Sequence, residues 1–107
     1  MAHRWNAPFD PAERKDFVRD WSEEMEKSQD TISEVSFTLP ADAIAAGLQV
    51  VASEQQNGVL AVVWFVASDA SALLAAFDGK DVAVSHSITT AAGRVLHETC
   101  MLRIKGK

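Results

Sequence analysis

The stretch SHSITTAAGRVLHETCMLRIKG, residues 85–106, carries the clearest structural signal in this chain of 107 residues. Polar and apolar residues alternate on both sides of an Ala-Ala-Gly break, which is the pattern of two half-buried strands joined by a tight turn. The glycine at position 93 supplies the left-handed backbone on which three-residue hairpin loops end. The sequence therefore predicts a β-hairpin with a loop at residues 91–93.

The register of this hairpin follows from matching apolar positions across the loop. With residues 91–93 in the loop, Thr90 faces Arg94, and the next pairs on the same face are apolar with one exception. The predicted pairs are Ile88 with Leu96, His86 with Glu98, Val84 with Cys100 and Val82 with Leu102. A register slipped by one residue matches less well, since Val84 would then face Thr99. One face of the hairpin is therefore predicted to lie in the core, and the other suits water or a partner.

Upstream of the hairpin, short apolar stretches are separated by turn residues. Apolar and polar residues alternate imperfectly over residues 32–39, and Pro40 ends the pattern. Residues 48–53 read as another short strand, and Asn57 and Gly58 form a pair typical of hairpin turns. These segments predict strands rather than helices.

The most apolar segment, residues 59–68, is rich in β-branched and aromatic residues. This composition is typical of a strand buried on both faces, so Trp64 is predicted to belong to the core. Residues 41–47 allow one helical turn, and residues 72–77 allow a brief helix. Several short strands with turns about every ten residues predict an all-β fold, a small β-sandwich.

The segment 13–28 fits two patterns. Phe17, Trp21 and Met25 recur every four residues, as on one face of a helix. Phe17 and Trp21 also fit the alternation of a strand edge. A short helix over part of the segment is favoured, and the strand remains an alternative. Trp21 is expected first as a core anchor and second as an interface anchor.

Residues 1–12 contain two prolines and no periodicity, so they are predicted to form an extended arm ahead of a domain at residues 13–107. Trp5 and Phe9 in this arm are large apolar side chains that are costly to leave in water. They are expected to dock either on this domain or on a neighbouring subunit. The sequence leaves both alternatives open.

Composition narrows the class of protein. The chain is 48% hydrophobic and 23% charged, as in an ordinary single globular domain. Its apolar runs are shorter than the roughly 20 residues needed to cross a bilayer, so no membrane partner is expected.

The net charge is −5, with acids concentrated in residues 1–34 and bases in the last fifteen residues. No basic patch with interleaved aromatics is present, so nucleic-acid binding is not expected. The uneven charge allows head-to-tail contact between copies, although a solvated surface is the simpler interpretation.

A search for catalytic or metal-binding patterns finds none of the common ones, neither a glycine-rich phosphate loop nor a histidine-glutamate zinc motif. His3 is expected to be solvated, and His86 is expected to form a partly buried ion pair with Glu98. His97 lies on the opposite face from His86, which disfavours a shared metal site. Cys100, the single cysteine, is expected to be buried and inert, which fits a reducing compartment. We therefore predict no catalytic residues, no cofactor and no metal.

Four parts of the sequence together resemble a family of small phage proteins described as fibre-to-tail adaptors. The hairpin Ile88-Thr89-Thr90-Ala91-Ala92-Gly93-Arg94, followed by a strand ending Leu102-Arg103-Ile104, is similar to the closing hairpin of that family. The other matches are Phe17 with Asp20-Trp21-Ser22, then Asp30-Thr31-Ile32, then Gly47-Leu48. The order and spacing of these matches are consistent over residues 15–105.

This resemblance implies an immunoglobulin-like β-sandwich with an extended arm and room for one short helix. It also implies a structural virion protein of a tailed phage, made in the host cytoplasm, that forms a ring joining the tail or neck to tail fibres. Its partners would be tail, neck and fibre proteins and further copies of the chain, and it would do no catalysis. The interface candidates are Trp5, Phe9, Trp21, Arg94 and His97.

Two other kinds of function remain as alternatives. The same fold could decorate a capsid, close a head or recognise a cell surface. A small cytoplasmic regulator or enzyme, helical at residues 13–28, is the alternative from a different class.

Overall fold

The computed structural model describes residues 2–106, in which seven strands form two sheets. The strands are β1 (Ala2–Arg4), β2 (Lys15–Asp20), β3 (Ile32–Thr38), β4 (Leu48–Gln56), β5 (Leu60–Ala67), β6 (Asp81–Thr90) and β7 (Val95–Arg103). Three short helices connect them: α1 (Ser22–Ser28), α2 (Ala41–Ala45) and α3 (Ala70–Phe77). The four-stranded sheet has the order β1-β7-β6-β3, and the three-stranded sheet has the order β2-β5-β4.

This strand order is that of an immunoglobulin domain whose first strand has changed sheets. If β1 to β7 are lettered A to G, the molecule reproduces the B-E-D and C-F-G groupings of that fold. The first strand pairs in parallel with β7 instead of joining the B-E-D sheet. The predicted all-β sandwich is confirmed. Three short helices are present, where the resemblance implied room for one, and they overlap the three segments for which the sequence allowed a helix.

The hairpin formed by β6 and β7 has the predicted register. His86 faces Glu98 and Val84 faces Cys100, with the pairs on either side also as predicted. The Thr90 amide donates to the Arg94 carbonyl at 2.9 Å, and Gly93 has a φ of +90°. A side chain at position 93 would be strained, so the glycine at this position is what permits the three-residue loop.

The ambiguous segment 13–28 contains both a strand and a helix. Its first half is strand β2 and its second half is helix α1, so the helix prediction holds only for residues 22–28. The Ser22 amide donates to the Asp20 carboxylate at 2.8 Å, where the chain turns from strand into helix. Phe17, Trp21 and Met25 are all buried, because the inward face of β2 continues into the buried side of α1.

The predicted arm packs on the core of its own chain. Trp5 is 6% exposed and Phe9 is fully buried. The Trp5 indole donates to the Val18 carbonyl at 2.9 Å, and the Phe9 backbone bonds to residues 103 and 105. Aromatic rings from both sheets surround these two side chains. Residues before and after position 13 therefore share one core.

The prediction that Trp64 lies in the core is wrong. In β5 the inward residues Ala61, Val63 and Phe65 are fully buried, whereas Trp64 lies on the other face and is only partly buried. Of the outward residues of β5, Val62 is buried, whereas Leu60, Trp64 and Val66 are partly exposed. Part of the apolar surface of β5 therefore stays accessible in the single chain.

Candidate interaction surfaces

A polar network lies inside the sandwich around His86. The Trp21 indole donates to His86 Nε2 at 3.1 Å, and His86 Nδ1 lies 2.9 Å from the Ser36 carbonyl. Since the indole can only donate, Nε2 must accept, and the proton therefore sits on Nδ1 and bonds to Ser36. Burial lowers the pKa of His86, which agrees with a neutral ring. The predicted ion pair between His86 and Glu98 is therefore wrong.

Glu98 pairs instead with Arg19, across the gap between the two sheets. Arg19 Nε lies 2.5 Å from Glu98 Oε1, and the guanidinium stacks 4.1 Å from the Trp21 ring centroid. Burial opposes ionisation of Glu98, but the hydrogen bond and charge of Arg19 outweigh it and lower its pKa. This ion pair and the bond from Trp5 to Val18 join the β1 and β7 side of one sheet to β2 of the other. We call this side of the sandwich the closed seam.

The opposite side of the sandwich, between β3 and β4, has a different character, and we call it the open seam. It contains an apolar groove of 460 Å³, lined by Phe37, Leu39, Ile44, Leu48 and Val50 with two polar neighbours. A second, more polar groove of 490 Å³ continues along the same strands past Glu34 and Glu54. Ile44 is 58% exposed, and Val51 in β4 is 39% exposed. The open seam therefore presents apolar side chains and the outer edge of β4 to solvent.

A second apolar surface is the outer face of the three-stranded sheet. An apolar row runs along this face, formed by Val18 in β2 and Leu60, Val62, Trp64 and Val66 in β5, and we call this row the Trp64 face. Val62 within it is only 3% exposed, and acidic residues flank the row, Asp16 beside Trp64 in β2 and Glu54 beside Val62 in β4. Val18 is 40% exposed, and the Arg14 guanidinium lies 5.8 Å from the Trp64 ring. Tryptophan on a partly desolvated apolar surface is the residue type that most often anchors protein interfaces.

The loop of the β6–β7 hairpin is held down by Asp30. The Asp30 carboxylate, only 3% exposed, accepts the amides of Thr31 and Ala92 at 2.8 and 3.2 Å and pairs with Arg94 at 3.1 Å. Hydrogen bonds, first from Thr90 and then from these amides, lower the pKa of Asp30. Residues 29–31 and 91–93 therefore form one connected end of the sandwich.

The five predicted interface residues fall into two groups. Trp5, Phe9 and Trp21 lie in the core of the chain, where their rings pack between the two sheets, and Trp5 also lines a surface pocket. Arg94 and His97 have exposed side chains, at the hairpin loop and on the outer face of β7. Sequence reasoning missed Trp64 and Ile44 as surface residues. For Trp64 the signal was present, because an apolar residue occupies every outward position of β5.

The described part of the chain offers little reactive chemistry. Among residues 2–106, no group of three or more His, Cys, Asp or Glu side chains is placed to hold a metal ion. Cys100 is fully buried, and burial raises the pKa of its thiol to about 12. None of the helices in that part has the length and apolar character needed to span a bilayer.

The sequence motifs noted above have structural roles. Asp30 and Arg94, which lie far apart in the sequence, contact each other at the hairpin loop. Trp21 holds His86, and Gly47 has a φ of +102° with the Ser68 hydroxyl 3.0 Å from where a side chain would begin. These motifs therefore contribute contacts that support the sandwich architecture.

Comparison with known proteins agrees with that architecture. A search among curated proteins found no match. The family model for the podophage GP4 fiber-tail adaptor protein gp77 matches residues 10–103, which is most of the chain and includes six of the seven strands. The chain therefore belongs to the family of the podophage fiber-tail adaptor protein gp77.

Proposed function

We propose that this chain is a structural virion protein that joins the tail or neck of a tailed phage to its fibres. Copies of the chain would form a ring, and its partners would be the tail, neck and fibre proteins of the same phage. The chain would be made in the host cytoplasm and then incorporated into the particle. Membership of a fibre-tail adaptor family supports this role.

The structural observation that carries the proposal is the Trp64 face. The part-buried ion pair of Arg19 with Glu98 and the buried hydrogen bond from Trp21 to His86 cross-link the sandwich, so we expect it to act as a rigid block. On such a block, a row of partly exposed apolar residues that includes a tryptophan is the kind of surface that protein partners bury. An adaptor needs such surfaces, because its work is to keep two partners at a fixed distance.

Arg94 and His97 are retained as further contacts in this proposal. Both side chains are exposed, and the Asp30 anchor fixes the loop that carries Arg94. An arginine held in place by a buried carboxylate keeps its remaining N–H donors directed outward. These donors would suit acidic or carbonyl groups on a fibre or tail protein.

Antibody labelling of intact particles, read by electron microscopy, tests the location. We expect label where fibres join the tail or neck. Label on the capsid surface would instead favour decoration, and antigen found only in the host cytosol would overturn the virion role.

Complementation with a Trp64→Ser variant tests the surface. In a phage lacking the native gene, we expect particles that carry less adaptor and fewer fibres than the wild type gives. Ser71→Ala, a change at an exposed position of α3, serves as the control. Full incorporation of the Trp64 variant would show that this face is not used.

A further inference from the structure

The two sides of the sandwich differ in how their edges are protected. At the closed seam the Trp5 indole donates a hydrogen bond to a main-chain carbonyl of β2, and Arg19 forms an ion pair with Glu98. At the open seam, β4 has residues 51–56 exposed, and its only charged residue is Glu54. Proteins usually blunt a free strand edge with lysine, proline or a covering segment, because an open edge invites pairing. The open seam is therefore the side best suited to receive another protein.

Charge indicates what kind of protein fits there. From Ser28 to Gly79 the sequence contains no lysine or arginine, and every charged residue is acidic. This stretch supplies β3, α2 and β4, which form the open seam. Glu34 and Glu54 line its polar groove, and Asp42 lies in α2, the helix that contributes Ile44 to the apolar groove. A partner must therefore bring positive charge.

The other edge of the four-stranded sheet carries that charge. Around β1 and the end of β7, a 420 Å³ pocket is lined by Arg4, Arg103 and Lys105, together with Trp5, Asn6 and Pro8. Asp81 pairs with Arg4 at 2.7 Å and with Arg103 at 3.0 Å. Because this one carboxylate faces three basic side chains, the surface remains net positive. We call this surface the basic edge.

The open seam and the basic edge cannot neutralise each other within one molecule. They border β3 and β1, the two outer strands of the same sheet. Three strand spacings separate those strands by about 14 Å. That distance exceeds the Debye length of about 10 Å at 0.1 M salt. The complementary charges are therefore available to a second molecule.

We propose that the open seam of one copy receives the basic edge of a second copy, so that copies associate head to tail. The inference rests on the proposed ring, and it names the two surfaces that would form it. Heterologous contacts between opposite edges generate rings or filaments. A two-fold pairing of β4 with β4 would instead bring the Glu54 side chains of two copies together. The apolar groove beside Ile44 would take up apolar surface of the incoming copy.

A charge-swap experiment tests the electrostatic part. Sedimentation velocity over a range of protein and salt concentrations is measured for Glu54→Lys, Lys105→Glu and the double variant. We expect each single reversal to weaken self-association about tenfold, and the double variant to recover most of it. Glu26→Lys and Lys27→Glu on α1, which lines neither surface, are the matched controls and should associate like the wild type. Association of the wild type should weaken as salt rises.

A second pair of variants tests the apolar part. Ile44→Lys places a charge at the apolar groove, where the native side chain is 58% exposed, so folding should be preserved. Val95→Lys makes the same kind of change at a position that is 55% exposed on the hairpin. We expect weaker self-association for Ile44→Lys alone. Equal effects of both variants, or single charge reversals without effect, would overturn the inference.

Failure of the head-to-tail contact can be distinguished from failure of the adaptor role. A wild-type chain that stays monomeric at every concentration reached overturns the head-to-tail contact, whereas the antibody label on particles decides the adaptor role. A chain that self-associates through these surfaces but never enters particles would leave the contact standing and remove the adaptor role.

Discussion

His86 shows how a single buried side chain can make this fold sensitive to acid. It accepts a hydrogen bond from Trp21 and donates one to Ser36, an arrangement that only the neutral ring permits. Burial first, with Arg19 and His3 adding to it, lowers the pKa of His86, while Ser36 and Glu98 act in the opposite direction. The sequence correctly predicted that His86 and Glu98 face each other across the hairpin. It did not predict that His86 bonds to Trp21 instead, because Trp21 lies 65 positions away in the sequence.

We predict that the free energy of unfolding falls as pH drops below about 6.5, the ordinary pKa of histidine. Because the folded pKa is lowered, the unfolded chain takes up this proton at a higher pH than the folded chain does. The stabilisation is therefore complete above that pH and is lost as pH falls through the folded pKa. Urea unfolding at several pH values between 5 and 7.5 measures the effect, above the range in which carboxylates titrate.

His86→Gln is the matched variant for this prediction. Its amide can also accept from Trp21 and donate to Ser36, but it does not titrate in this range. We expect a shallower pH dependence, with the remainder due to His3, whose pKa burial also lowers. An unchanged slope would rule out His86 as the source.

At the scale of elements, the hairpin was the most predictable part of the molecule. Its register depends on residues within the hairpin itself, namely the apolar alternation and Gly93, so a local pattern was sufficient. Segment 13–28 was harder, because a strand followed by a helix can present the same buried stripe through Phe17, Trp21 and Met25. Trp64 was misplaced because apolar composition reports burial without saying whether the chain itself provides the covering layer.

We predict that Asp30→Ala destabilises the hairpin end more than Arg94→Ala does. Asp30 accepts hydrogen bonds from two backbone amides and pairs with one guanidinium, so its removal takes three contacts from the loop. Arg94→Ala removes only an exposed ion pair, a type of interaction that contributes little. Thermal unfolding measures the loss, and hydrogen exchange of residues 91–93 locates it. Equal losses for the two variants would mean that the ion pair, not the capping, anchors the loop.

The N-terminal arm completes the sandwich as a whole. Trp5 contacts aromatic rings from β2, β3 and β5, and so links the two sheets. The sequence indicated that Trp5 and Phe9 would need cover, but composition could not decide between this chain and a neighbour. The decision lies in long-range contacts, such as the bond from Trp5 to Val18 and the pairing of β1 with β7.

We predict that Trp5→Ala lowers the free energy of unfolding by about 3–5 kcal/mol, the usual cost of emptying a buried aromatic site. At protein concentrations too low for copies to associate, the loss should not depend on concentration, because the ring packs within its own chain. Chemical unfolding at several protein concentrations measures both properties. Trp64→Ala, which removes a half-buried tryptophan, is the control and should cost less. A loss for Trp5→Ala that grows on dilution would instead indicate an arm exchanged between copies.

The burial of Cys100 has a practical consequence for mapping the assembly. Because the pKa of its thiol is raised to about 12 and the side chain is fully buried, the native protein should not react with maleimide reagents. A cysteine introduced at position 44, 54 or 105 would then be the one reactive thiol in the chain. Its labelling rate in free protein and in intact particles would report, site by site, which surfaces become occluded on assembly.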